Sequence, residues 1–323
     1  MKYLRAILSL CILLSLSSCR PTTDEPITKS GFYFDTVIQI TVYDLRHASL
    51  IDSCFSYCEK FENLVSRTIA DSDISRINQS AGNPVEVSDT TIDLLRAGIQ
   101  YGDMTQGAFD ITIAPLSMLW DFKNNSKIVP TDEQISEALS HVNYKNIVIE
   151  GNTVTLRDPK AAIDLGGIAK GYMADRLKEF LESKEVESAL INLGGNVITI
   201  GEKPNGTPFT IGIQNPFDEP SAIITSVSAK DSSVVTSGSY ERYFEVGNKI
   251  YHHILNTQNG YPCENDLLSV TILSKHSIDG DALSTSCFAL GLDKGVNFIQ
   301  SLENLEAVFI TTDYKIHDTR DLN

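Results

Sequence analysis

The sequence predicts an α+β fold in one unit. Three observations carry this. Short β-branched runs recur through the chain, most densely in its C-terminal half. Helical segments stand between them without a regular βαβ alternation. No repeat, low-complexity segment or linker interrupts residues 31–323. "TVIQITVY" (36–43) alternates apolar and polar residues and is the first strand expected. A helix follows over about 50–65, with Ile51, Cys54, Phe55, Cys58, Phe61 and Val65 on its apolar stripe. A second helix starts near Ser88 or Asp89 and carries Ile92, Leu95 and Ile99. A third begins at Thr131, where Gln134 completes a capping box. "NIVIEGNTVTL" (146–156) places two strands around a Gly-Asn turn. "ALINL", "FTIGI", "AIITSVS", "YFEVGNKIYHHIL", "LLSVTIL" and "EAVFIT" supply the remaining strands.

The N-terminus reads differently. "MKYLRAILSLCILLSLSSCR" has Lys2 and Arg5, an apolar stretch from Ala6 to Leu16, and small residues before Cys19. That is a signal peptide over residues 1–18, too short for a good membrane span. Leu16-Ser17-Ser18-Cys19 resembles a bacterial lipobox, so cleavage before Cys19 and an acyl anchor on it are expected. Residues 19–30, polar and proline-bearing, read as a tether to the domain at 31–323. The expected location is the bacterial cell envelope, lipid-anchored to the membrane and facing the periplasm.

Removal of the signal takes the net charge from −16 to −18. So acidic a body, without a basic run, does not suit a nucleic-acid binder. With Cys11 removed and Cys19 lipidated, Cys54, Cys58, Cys263 and Cys287 remain. Cys54 and Cys58, four apart on a helix, are poorly placed for a disulfide, and no CxxC pair offers a zinc site. Buried free thiols are expected.

"SIDGDALSTSCFALG" (277–291) reads as a helix with Leu283, Cys287 and Leu290 on its buried side and Gly291 as its stop. Asp281 and Thr285 then project from one face, and two oxygens converging there suit a hard cation such as Mg²⁺. The competing reading makes Asp279 or Asp281 an N-cap and Ser284 and Thr285 ordinary helix hydroxyls. "AIDLGGIAKGYMADRLKEFL" (162–181) opens a helix at Gly166-Gly167, with Ile168, Met173, Leu177 and Leu181 inside. A glycine pair before a helix start admits an anion, and Lys170 adds a cation one turn in. Together these suit a diphosphate. Asp164 stands ready for a polar edge of the ligand or for the cation. Both GxGxxG and the P-loop GKS/T are absent. A second Gly-Gly turn lies in "INLGGNVITIG" (191–201), and "VVTSGSYERYF" (234–244) adds hydroxyls. "GAFDITIAPLSMLWDF" (107–122) sets Phe109 beside Asp110, an arrangement open either to a flat heterocycle or to core packing. His252 and His253 are adjacent, so on a strand only one can face a given site.

Taken in order, "DTVIQITVY", "DSDISRIN", "GAFDITIAPL", "IDLGGIAKGYMAD", "ALINLGGN", "TSGSYERYF", "YHHILNTQNGYP" and "DGDALSTSCFALG" resemble the ApbE family, the FAD:protein FMN transferases. The resemblance covers nearly the whole mature chain and implies one T-fold-like α+β unit with antiparallel sheets and flanking helices. It implies Mg²⁺ on Asp281, Thr285 and the Gly167 carbonyl. FAD would be held by Ala108, Phe109, Asp110, Asp164, Lys170 and the backbone near Leu255, and His253 would act in catalysis. The chain departs from the family pattern where Phe34-Asp35-Thr36 replaces Met-Gly-Thr, at Asn196, and at Asn256 and Thr257. Phe34 can still stack on a ring. The implied reaction splits FAD between its phosphates, places FMN on a Ser or Thr hydroxyl of another protein, and releases AMP. Acceptors in this family carry an Asp-Gly-x-Ser/Thr-Gly-Ala-Ser/Thr segment. None occurs here, so the acceptor is expected to be a separate exported or membrane protein. Two other readings use the same residues: a metal-dependent FAD hydrolase, and a lipoprotein that only binds flavin.

The lipobox carries a direct expectation. Cys19→Ser should move the protein from the membrane fraction to the soluble fraction of the envelope. Wild-type protein in the cytoplasm with residues 1–18 still attached would refute it.

Overall fold

Eight strands pair antiparallel into one sheet, which frames the molecule, while the other strands read from the sequence form smaller hairpins and a three-stranded sheet. The computed structural model describes residues 26–123, 127–219 and 222–322, so the signal peptide and Cys19 lie outside the described residues. The strands are β1 (Ile27–Tyr33), β2 (Thr36–Val42), β3 (Val85–Glu86), β4 (Ile147–Glu150), β5 (Thr153–Leu156), β6 (Ala189–Leu193), β7 (Asn196–Ile200), β8 (Phe209–Gln214), β9 (Ile223–Ala229), β10 (Ser233–Gly238), β11 (Tyr243–Val246), β12 (Lys249–His252), β13 (Leu267–Ser274), β14 (Glu306–Thr311) and β15 (Ile316–Asp318). The large sheet runs β1-β2-β6-β7-β10-β13-β14-β15. β1 takes up Ile27–Ser30, which the sequence reading gave to the tether. Pairing with β2 across Ile27↔Val42 to Tyr33↔Thr36 recruits them. The β1–β2 turn has φ of 55° at Phe34 and 58° at Asp35, the left-handed pair of a two-residue hairpin.

The helices are α1 (Leu50–Val65), α2 (Asp73–Gln79), α3 (Asp89–Met104), α4 (Ala114–Trp120), α5 (Asp132–Leu139), α6 (Ala169–Glu182), α7 (Ser277–Leu290) and α8 (Leu292–Gln300). Ser88 caps α3, and Thr131 with Gln134 forms the expected capping box on α5. Sequence periodicity missed α2 and α4, each too short at seven residues to show it, and also α8.

One layer of helices lies along the sheet in nearly the strand order. α1 packs on β1 and β2, α6 on β6 and β7, α7 on β7, β10 and β13, and α8 on β14. The opposite face is covered by the β8–β9 hairpin, whose Phe209, Ile213 and Val227 pack with Val234, Leu268, Val308 and Ile310. A satellite core of Leu116, Trp120, Ile135, Phe244 and Leu255 joins α4 and α5 to the β11–β12 hairpin. Trp120 Nε1 donates to the Gly260 carbonyl at 2.8 Å. The four described cysteines are free and buried, as expected; burial pushes the Cys54, Cys58 and Cys263 thiols up to about 12.

α7 departs from its expected one-sided burial. Gly280, Asp281, Ala282, Leu283, Ser284, Ser286, Cys287 and Phe288 are all buried, because the helix is enclosed by the sheet, α6 and α8. Leu290, expected inside, is only half-buried. The N-cap is His276 and gives no side-chain bond, so neither Asp279 nor Asp281 caps this helix. Asp175 of α6 accepts instead from Ser277 N at 2.7 Å and Ile278 N at 2.9 Å. Burial holds its carboxyl up, at about 6, against the lowering effect of those two amides. In return, Asp281 of α7 accepts from Gly171 N in the first turn of α6 at 2.9 Å. The two helices cap each other.

Glycine makes this crossing possible. A methyl group at position 171 would stand 2.4 Å from the Ser277 carbonyl oxygen and 2.8 Å from Asp281 Cβ. Gly171→Ala should therefore push the helices apart and cost about 1–3 kcal/mol, read as a lower denaturation midpoint. An unchanged midpoint would mean that the crossing opens without strain.

Candidate active site

The Gly166-Gly167 turn is held from behind. Asp164 N donates to the Ile111 carbonyl at 2.8 Å, which ties the turn to the segment carrying Phe109. The Asp164 carboxylate is fully engaged. Oδ1 accepts from Gly166 N at 2.9 Å, while Oδ2 takes the Ser117 hydroxyl at 2.9 Å and stands 3.0 Å from Arg67 Nε. Phe109 is buried, edge-on to Tyr101, and its ring closes on the turn. A methyl group on Gly167 would lie 3.0 Å from Phe109 Cε2 and 3.9 Å from Thr285 Oγ1. Gly167 and Thr285, more than a hundred residues apart in sequence, are thus neighbours.

Asp281 and Thr285 share a face of α7, as their spacing requires. Thr285 Oγ1 lies 3.1 Å from Ser237 Oγ, which also meets Ser284 Oγ at 2.8 Å. Lys170 Nζ is 3.2 Å from Asp281 Oδ1 and 3.2 Å from the Gly166 carbonyl oxygen. Part of the anion site expected at the α6 start is filled by the protein itself, since Asp281 occupies the Gly171 amide. The donors here are oxygens: one carboxylate, one hydroxyl and nearby backbone carbonyls. They fit a hard cation, and the ammonium of Lys170 shows that positive charge is already stabilised at Asp281. Among the described residues no three His, Cys, Asp or Glu side chains form a metal-holding group. A cation at Asp281 therefore needs oxygens from substrate or water, as is usual for Mg²⁺.

The histidine pair divides as strand geometry requires. His252 closes β12 and turns inward: it is buried, its Nε2 donates to the Cys263 carbonyl oxygen at 2.9 Å, and its ring stands edge-on to Phe288. His253 is half-buried, its backbone N–H bonded to the Arg242 carbonyl at 3.0 Å, and its Nδ1 is buried with no hydrogen-bond partner. Burial, then the positive charge of Arg242 and, less strongly, neighbouring His252 and Lys170, push its imidazole down to about 3. Lys170 also acts on Glu241, whose carboxyl burial holds above its usual value. His252 thus belongs to the core, and His253 to the end of the hairpin beside Arg242.

Other expected contacts are placed less directly. Asp110 is spent on the loop: Oδ1 accepts from Thr112 N and Oγ1, and Oδ2 from Tyr144 N. Desolvation raises its carboxyl. Ala108 stays half-buried beside Phe109, and Thr257 Oγ1 ties its loop down through the Gly107 carbonyl at 2.6 Å. The Leu255 side chain lies in the satellite core, which leaves its backbone as the part available to a ligand. Phe34 packs edge-on against Phe61, which stacks on Tyr172 of α6. Sequence reasoning missed Arg67, Ser117, Asp175 and the bond from Tyr101 OH to Asp279 Oδ1 at 2.6 Å. Nothing local marks them, since each partner lies far away in sequence. Ser237 fell within a hydroxyl-rich segment already noted.

Comparison with known proteins places the chain among its relatives. The model of the ApbE family matches residues 34–309. An FAD:protein FMN transferase of Klebsiella pneumoniae is 39% identical over 81% of this chain and 82% of that protein. One of Treponema pallidum is 31% identical over 97% and 92%. Among solved structures, the ApbE protein of Thermotoga maritima superposes with a TM-score of 0.86 at 31% identity, covering 92% of this chain and 98% of that one. The flavin transferase ApbE of Vibrio cholerae gives 0.80 at 28%, covering 91% and 96%.

The depressed His253 imidazole has a sign that stability can read. The unfolded chain binds a proton near pH 6.5 that the folded chain refuses until about pH 3, so this group's contribution is present above pH 6.5 and lost as pH falls through that interval. His253→Asn should flatten the stability–pH curve between about pH 6.5 and pH 3 in urea titrations. An unaltered slope would place the ring in water.

Proposed function

The chain belongs to the ApbE family, and on that premise we propose that it transfers FMN from FAD to a Ser or Thr hydroxyl of an acceptor protein, with Mg²⁺, releasing AMP. The observation that carries this is the meeting of Asp281, Thr285 and Lys170 at the Gly166-Gly167 turn. Passive flavin binding needs neither a hard-cation donor set nor an unpartnered imidazole.

In this reading the acceptor hydroxyl oxygen bonds to the phosphorus of the FMN half as its proton passes to a base, the bond from that phosphorus to the bridging oxygen breaks, and AMP leaves carrying the bridging oxygen. Asp281, Thr285 and the Gly167 carbonyl would hold Mg²⁺, which when bound neutralises phosphate charge and aligns the diphosphate. Lys170, whose carboxylate partner among the described residues is Asp281, turns its ammonium to the same phosphates. Phe109 and Ala108 border the flavin end, with Phe34 and the Leu255 backbone further out. Asp110 acts by shaping that loop. His253 is neutral throughout the physiological range and can accept the hydroxyl proton. An imidazole at about 3 is a weak base, but an anionic diphosphate beside it raises that value toward the working range. The N-terminal lipobox and the absence of an acceptor segment support an envelope enzyme, anchored through Cys19 and facing the periplasm, acting on a separate exported or membrane protein.

Incubation with FAD, Mg²⁺ and an acceptor bearing Asp-Gly-x-Ser/Thr-Gly-Ala-Ser/Thr should yield AMP and flavinylated acceptor in equal amounts. AMP at the same rate without acceptor would make the protein an FAD hydrolase. Asp281→Ala should abolish transfer while FAD still binds; normal turnover at limiting Mg²⁺ would remove Asp281 from the metal. His253→Ala should slow transfer by about 10²–10⁴ with little change in FAD affinity. His252→Ala should be mild in rate, and a loss confined to it would reverse the assignment.

A further inference from the structure

Arg67 lies in none of the features the sequence singled out, yet it is built into the site. It follows α1 in a short loop whose backbone is pinned. The Ser66 carbonyl accepts from the hydroxyls of Ser72 and Ser75, and Ser66 N donates to the Glu62 carbonyl at 3.0 Å. The Arg67 side chain is 30% exposed, and its Nε rests 3.0 Å from Asp164 Oδ2. Among the described residues it has no other carboxylate partner. Asp164 in turn bonds Gly166 N through Oδ1, and the Gly166 carbonyl oxygen accepts from Lys170 Nζ. A continuous polar chain therefore runs Arg67–Asp164–Gly166–Lys170–Asp281, with one cation on each side of the glycine turn.

Asp164 already accepts from Gly166 N and the Ser117 hydroxyl and lies against Arg67, so little of its carboxylate is left for a ligand. What it does is orient a guanidinium. With Nε set 3.0 Å from Asp164 Oδ2, the two amino groups of Arg67 have no carboxylate partner among the described residues and keep the fork that suits phosphate oxygens. Gly166 is exposed and has no side chain to obstruct an anion lying between the two cations. We propose that Arg67 is a second cationic contact for the diphosphate of FAD, opposite Lys170, and that Asp164 is its positioning residue. This rests on the reading of the protein as an FAD-using enzyme and adds a binding residue to it.

The test is binding, separate from turnover. FAD, ADP and riboflavin are titrated by fluorescence or calorimetry against the full-length protein in EDTA, so that no transfer intervenes. Arg67→Ala should weaken FAD and ADP by about 10- to 100-fold, the range for a lost charge-assisted bond, and leave riboflavin unchanged. Arg67→Lys should fall between, since it keeps the charge without the fork. Asp164→Asn should shift FAD and ADP in the same direction by less. If Arg67→Ala does not fold, Arg67→Gln carries the same comparison, keeping a donor for Asp164 without the charge. Equal FAD affinity in the variants and the wild type would overturn the proposal. So would a parallel loss for riboflavin, which would mark Arg67 as scaffolding. A wild-type protein that binds riboflavin and FAD equally, or neither, overturns the parent reading and the inference with it.

Discussion

Two buried carboxylates, each capping the helix on which the other resides, hold the functional half of this molecule together. Asp175 on α6 takes the first amides of α7, and Asp281 on α7 takes an amide in the first turn of α6. Each satisfies donors that its partner helix cannot satisfy alone, and each favours the positive end of the partner's dipole. The exchange needs the helices in near contact, which Gly171 permits on one side of α7 and Gly280, 2.6 Å from Val235 at its would-be Cβ, on the other. The polar bonds and the glycines are one constraint. Without the close approach the carboxylates do not reach, and without the carboxylates two helix starts are buried unpaired.

The candidate active site is a by-product of that lock. Asp281 shares itself between the amide of Gly171 and the ammonium of Lys170, so a charged side chain 4% exposed stays compensated without substrate. The same geometry brings Gly167, Thr285 and Phe109 around one turn. Rigidity follows, because every group belongs to a helix or to a loop pinned by side-chain bonds. Asp110 and Asp164 illustrate the second case: both carboxylates are consumed in holding loops. These two acidic residues orient other groups, and the cations beside the turn are Lys170 and Arg67.

The histidine pair shows how a short hairpin sorts two identical side chains. The β11–β12 hairpin sends His252 into the core beneath Phe288 and leaves His253 at its end, beside Arg242. Burial alone disfavours the charged form of both. Nearby cations deepen this for His253, so its ring is the more strongly held neutral of the two.

Much of this was legible in the sequence where the signal is local. Alternation in "TVIQITVY" and "LLSVTIL" marked strands, Thr131 with Gln134 marked a helix start, and i,i+4 spacing put Asp281 and Thr285 on one face. The adjacent histidines already required a division of roles, and the ordered motifs pointed to the family. What the tertiary structure alone decided involves partners far apart in the chain. Asp281 meets an amide 110 residues away, and Asp175 caps a helix 102 residues on. Ile27–Ser30 became a strand by pairing. α7 was enclosed on all sides rather than on one. Arg67 found Asp164. Helix and strand propensities act over a few residues, so a sequence declares them. A hydrogen bond across helices depends on how closely two backbones approach, and that distance is set only when the layers pack.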